Sequence, residues 1–163
     1  MANVQQACAI PCRRVGRQWE FCLITTSSGR WAFPKGFLGR GETVQQAALK
    51  EAAEEAGVEG RILGEPLGTF RLFKEGKSYQ VCVVLMQVTR CHDNWPETAK
   101  RQRCWVTARR AYELLGRREL QDFLDQACAL LRKLPPGMRS GVRAALPEVA
   151  VSTAHVAIAG EVA

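Results

Sequence analysis

Glu51, Glu54 and Glu55 sit on an alanine-rich segment, AALKEAAEEAG, behind a loop that carries Gly36, Gly39, Gly41 and Glu42. On a helix, these three carboxylates share an arc about 100° wide. Leu49, Ala52, Ala53 and Ala56 fall on the other side. One face is therefore small and apolar, suited to lying close against a sheet. The other concentrates negative charge. Glu51 and Glu55 stand at i,i+4, where like charges oppose helix formation by a few tenths of a kcal/mol. A hard divalent cation resolves that conflict, because Mg²⁺ takes oxygen ligands from a few carboxylates and from substrate phosphates. Lys50, at i−4 from Glu54, is expected to pair with it and leave Glu51 and Glu55 for metal. The glycines let the preceding backbone approach a ligand closely. The chemistry suggested is a metal-bridged phosphate site; the alternative is a solvated acidic face.

The elements around this segment follow from turn and periodicity signals. Strands are expected at 7–12 and 20–26, a short extended piece at 31–34, and a glycine loop at 35–41. A helix is expected over 43–56, closed by Gly57. Short strands at 61–73, a turn at 74–77 and a strong strand at 79–88 come next, followed by a polar loop at 89–102. A strand at 104–106 leads into a helix at 108–115 capped by Thr107, and an amphipathic helix at 118–133 ends before Pro135 and Pro136. Helices on either side of a mixed sheet make this an α/β chain.

The net charge of +7 is compatible with a polyanionic ligand, whether nucleotide, polyphosphate, nucleic acid or anionic membrane. No apolar run is long enough to span a bilayer, so no membrane partner is expected. MANVQQACAIPCRR does not read as a secretory start, so a cytoplasmic location is expected, with the cysteines reduced. Cys22, Cys82 and Cys104 read as small core residues. One domain is expected over 1–134, with a flexible tail over 135–163.

Gly36, Glu42, Lys50, Glu51, Ala52, Glu54, Glu55, Gly57 and Val58 together resemble the signature of the Nudix hydrolases, G-x5-E-x7-R-E-U-x-E-E-x-G-U. Lys50 replaces its arginine, whose bidentate fork lysine cannot copy, and Ala52 is smaller than the usual aliphatic residue. The resemblance implies a Nudix-type α/β/α sandwich with a central mixed sheet. It also implies hydrolysis of a diphosphate linkage with Mg²⁺, or Mn²⁺ in its place. It assigns Glu51 and Glu55 to the metal, with a main-chain carbonyl of Lys35 or Gly36 and support from Glu42. Glu54 becomes the catalytic base or a further ligand.

Two further segments resemble the subgroup that hydrolyses diphosphoinositol polyphosphates and diadenosine polyphosphates, and the first of them also resembles mRNA-decapping members. They are Arg30-Trp31-Ala32-Phe33-Pro34-Lys35-Gly36, and Asn94-Trp95-Pro96-Glu97 with Lys100, Arg101, Arg103 and Trp105. Trp31 and Phe33 read as core. Arg13, Arg30, Lys35, Lys77, Arg101 and Arg103 are candidates to line a polyphosphate substrate. Outside the expected core, Phe37, Phe73 and Tyr79 are the aromatics that could stack on a base. Other readings are a Nudix hydrolase of a damaged nucleoside triphosphate, ADP-ribose or capped RNA, and a Nudix-fold binding module without turnover. RNA is a less favoured partner than a small polyphosphate, and the sequence leaves the oligomeric state open.

Overall fold

Strands β1 (Gln6–Val15) and β6 (Lys77–Cys91) run side by side in parallel, with Cys8 opposite Val83 and Ile10 opposite Leu85. They form the spine of the sheet in this computed structural model, which describes residues 3–139. β5 (Val58–Lys74) pairs antiparallel with β6 at one edge. On its other side β1 divides. Its first half pairs with β4 (Lys35–Phe37) and its second half with β2 (Gln18–Thr25). β2 carries β3 (Trp31–Ala32) beyond β1 on one edge, at Ile24 and Thr25, and β7 (Arg103–Thr107) on its other edge. β4 ends its pairing with β1 at Phe37, and the turn at Gly39–Gly41 follows directly.

The two faces of the sheet carry separate cores. On one face, Ile10, Phe21, Leu23, Phe33, Val83 and Leu85 pack under α2 (Ala108–Leu114) and α3 (Arg118–Lys133), which contributes Leu120, Phe123, Leu124, Ala127 and Leu131. On the other, Ala47, Ala48, Ala52 and Ala56 lie on Ala7, Ala9, Ile24, Val84 and Met86. Methyl-sized residues on both sides bring helix and strand backbones close, and that closeness seats the acidic helix. The mixed sheet lies between helical layers, as expected.

α1 (Val44–Glu51) begins with a capping box. The Thr43 hydroxyl accepts from the Gln46 N–H, and the Gln46 side chain accepts from the Thr43 N–H. Regular α geometry ends at Glu51, and residues Ala52–Ala56 form a π turn, in which the Gly57 N–H reaches back to the Ala52 carbonyl. Gly57 closes it at φ 67°. The expected 43–56 helix is therefore two geometries joined, and the buried face uses Ala47 and Ala48 rather than Leu49 and Ala53, which are half-buried.

The expected short strands at 61–73 are one long strand. It is bulged at Glu59/Gly60 and Leu63/Gly68, where the glycines look like breaks in sequence. Lys35 to Phe37 pairs with β1 and is not loop. β6 runs on through Cys91 into the expected polar loop. The helix at 118–133 ends at Lys133 as expected, and a further helical turn, α4 (Pro136–Arg139), follows. The rest of the expected tail, 140–163, lies outside the described residues. Cys22, Cys82 and Cys104 are buried free thiols, as expected.

Arg13 is not a substrate residue. Its side chain is 1% exposed, its Nε donates to Glu20 at 2.9 Å, and its guanidinium lies 4.0 Å from the centre of the Trp105 ring. Arg13→Ala is expected to lower stability by about 2–3 kcal/mol, less than for a fully buried pair because Glu20 still reaches water. Urea denaturation checks this, and KM for any substrate should not move.

Candidate active site

The site forms where β4 meets the junction of α1 and the π turn. Lys35 and Gly36 sit opposite Cys8 and Ala7 in register, so main-chain pairing with β1 fixes their positions. The Lys35 N–H donates to Glu55 Oε2 at 3.2 Å. The Glu51 carboxylate lies against Gly36, in the space where a Cβ would stand. The structure thus brings together Glu51, Glu55 and the main chain of Lys35 and Gly36, the group expected around a metal. Gly36→Ala should push the Glu51 carboxylate out of that place. Turnover is expected to fall roughly 10²-fold for a displacement on the order of 1 Å, which steady-state kinetics of the folded variant would show.

Glu42 holds the loop. It accepts from the Gly39 N–H and from Lys50 Nζ, the latter at 2.7 Å. Lys50 therefore pairs with Glu42 and not with Glu54 as expected. The turn at Gly39–Gly41 brings a carboxylate distant in sequence closer than the helical neighbour. Lysine at this position makes a single-point contact where the arginine of the signature has a fork.

Burial governs the electrostatics of the two inner carboxylates. It pushes Glu55 up to about 7 from an ordinary 4.5, against the pull of the Arg101 guanidinium and the Lys35 N–H. Glu51 is raised as well, first by burial and then by the charge of Glu54, with Glu97 adding to the effect. Glu54 itself is exposed. Glu97 is the site residue that the sequence reading missed. It belongs to the Trp95-Pro96-Glu97 segment, where only the basic residues were assigned, and its proximity to Glu51 comes from a loop fold with no spacing signal.

The expected basic lining is divided. Arg101 reaches the site but is held by protein: its guanidinium pairs with Glu55 at 3.1 Å and Glu97 at 3.2 Å, and donates to the Thr25 carbonyl at 2.9 Å. Arg103 is a brace, not a free substrate ligand. It donates to the carbonyls of Ala56 and His92 and stacks 4.2 Å over the Trp95 ring. Arg30 is exposed in the turn before β3, and Lys77 is exposed at the start of β6, opposite Lys74. Lys35 is half-buried at the site itself. Trp31 and Phe33 are core, as expected. Of the candidate stacking aromatics, Phe37 is 54% exposed and meets Tyr79 edge-on at 5.1 Å, directly after Gly36.

Among the described residues, no three His, Cys, Asp or Glu side chains form a group placed to hold a metal ion. Arg101 and the Lys35 N–H draw Glu55 to one side. The donors nevertheless suit a divalent cation. They are two carboxylates crowded by burial and like charge, a third exposed beside them, and the bare main chain of Gly36 against which the Glu51 carboxylate lies. An open carboxylate set that relies on substrate phosphates to complete its coordination is the usual form of a Mg²⁺ site.

Known proteins resemble this chain in sequence and in fold. The family described as NUDIX domain matches residues 4–126. The chain is 36% identical over 116 residues to Nudix hydrolase 12, mitochondrial, of Arabidopsis thaliana, covering 63% of this chain and 57% of that protein. It is 32% identical over 108 residues to diphosphoinositol polyphosphate phosphohydrolase 3-alpha of Mus musculus, covering 64% of this chain and 65% of that protein. A crystal structure of a C. elegans Ap4A hydrolase binary complex superposes with a TM-score of 0.70 at 24% identity, over 81% of this chain and 100% of that one. The match to Nudix hydrolase 12 thus spans little more than half of that relative's length.

Proposed function

The chain belongs to the Nudix family, and on that premise we propose that it is a divalent-metal-dependent hydrolase of a diphosphate linkage, acting on diadenosine polyphosphates or diphosphoinositol polyphosphates. The observation that carries this reading is the meeting of Glu51 and Glu55 with the main chain of Lys35 and Gly36, with Glu54 exposed beside them.

Glu51, Glu55 and a main-chain carbonyl of Lys35 or Gly36 would hold the cation, with Glu42 steadying the loop through Lys50. When bound, Mg²⁺ or Mn²⁺ supplies charge neutralisation of the diphosphate and an acidified water. The chain's own residues do the rest. Exposed Glu54 takes the proton of the attacking water at its carboxylate. Lys35 and Arg30 meet phosphate charge, and Lys77 extends the basic rim for a longer chain. Phe37 and Tyr79 offer a ring edge and face beside Gly36, which suits an adenine-bearing substrate. The mouse and C. elegans proteins, named for these two substrate classes, support the choice.

A substrate panel tests it. It sets diadenosine penta- and hexaphosphate and a diphosphoinositol polyphosphate against ordinary and oxidised nucleoside triphosphates, ADP-ribose and capped RNA. Preference for the first two classes is expected. Preference for a triphosphate or RNA would keep the chemistry and overturn the substrate.

A further inference from the structure

The C-terminal end of a helix leaves its last four carbonyls without an intrahelical donor. Here those of Glu54, Glu55, Ala56 and Gly57 are all satisfied from the segment 92–103. Glu54 accepts from the Glu97 N–H at 3.1 Å, Glu55 from the Trp95 indole N–H at 3.0 Å, Ala56 from the Arg103 guanidinium at 2.8 Å, and Gly57 from the His92 N–H at 2.8 Å. The Trp95 side chain also lies directly on Gly57, where a Cβ would stand 2.8 Å from its Cγ. The Arg103 guanidinium covers the Trp95 ring at 4.2 Å. Gly57, Trp95 and Arg103 therefore pack together, with Arg103 tied onward to the His92 carbonyl at 2.7 Å.

A π turn is rare and occurs as a single-turn bulge within an α-helix, frequently at a functional site. The two acidic side chains at stake, Glu54 and Glu55, project from that turn. A relaxation of Ala52–Ala56 to regular α geometry would rotate both carboxylates about the helix axis relative to Glu51 and Gly36.

We propose that Trp95 and Arg103 are positioning residues that clamp the π turn and so set the pitch of Glu54 and Glu55 toward Glu51. This rests on the hydrolase reading above. It gives the Asn94-to-Arg103 segment a task separate from substrate contact: its aromatic and basic residues grip the main chain of the acidic turn from behind.

Trp95→Phe tests it with little disturbance, since the ring stays on Gly57 and under Arg103 while the indole N–H is lost. Expected are a fall in kcat and a weakening of Mn²⁺ binding, read by electron paramagnetic resonance, each by about 10-fold or more. KM should stay within about twofold and Tm within a few degrees of the parent. Arg103→Lys, which keeps the charge and loses the fork, should move kcat and Mn²⁺ affinity the same way. A parent that is active while both variants keep parental kcat and Mn²⁺ affinity, with or without a lower Tm, overturns the clamp and leaves the hydrolase reading standing. A folded parent that neither binds Mn²⁺ nor turns over any diphosphate overturns both.

Discussion

Glu54→Gln is expected to lower turnover by about 10²–10⁴-fold, the range over which a positioned general base contributes. Glutamine keeps the size of the side chain and one acceptor oxygen but cannot take a proton. Glu54 is exposed on the π turn and its side chain supports none of the buried packing, so the variant should fold and melt as the parent does. Substrate KM should change little, because the remaining carboxylates and the basic residues still bind the polyphosphate. A parental rate in Glu54→Gln would remove the base from this residue. Glu97, brought close to Glu51 by the loop, would then be the next residue to test.

Glu55→Gln is expected to stabilise the metal-free protein while abolishing most of its activity. Burial raises the Glu55 carboxyl to about 7 even with Arg101 alongside. Below the unfolded value of 4.5 both states hold the proton, and the group contributes nothing to the pH dependence. Between 4.5 and about 7 the unfolded chain ionises first, so stability falls as pH rises. Above that window the folded state carries a buried charge, at a cost on the order of a few kcal/mol. In EDTA at pH 8, Glu55→Gln should therefore melt higher than the parent, and at pH 4 the two should coincide. Added Mg²⁺ should stabilise the parent and not the variant, because the ion compensates the charge that the variant lacks. Equal melting of the two proteins at pH 8 would mean that Arg101 alone compensates Glu55.

The acidic helix was legible because each of its signals is local. Alanines mark its buried side, glutamates its outer side, and Gly57 closes it, while the Thr43 cap emerged only with the structure. The π turn was not legible, since an i→i+5 bond leaves no mark in the spacing. The burial of Glu55 under Arg101 was hidden for a related reason, because it depends on the fold of residues 93–101. The charge of these side chains can be read in the sequence, but which of them the fold buries and pairs cannot. Arg13, Arg101 and Arg103 all looked available to phosphate. The structure spends Arg13 on Trp105 and Glu20, Arg103 on the Ala56 and His92 carbonyls, and Arg101 on two glutamates. The two-residue periodicity of β5 is interrupted at Gly64 and Gly68, whose positive φ values of 67° and 151° shape a bulge and not an end.

The central claim is that the acidic face of this basic protein holds a divalent cation for cleavage of a diphosphate linkage. The most direct measurement is hydrolysis of diadenosine hexaphosphate by the purified chain, followed by product chromatography with Mg²⁺, with Mn²⁺ and with EDTA. Cleavage to two mononucleotide products with either ion and none in EDTA is the predicted result. Cleavage that proceeds unchanged in EDTA, or none of any diphosphate-linked compound with either ion, would contradict it.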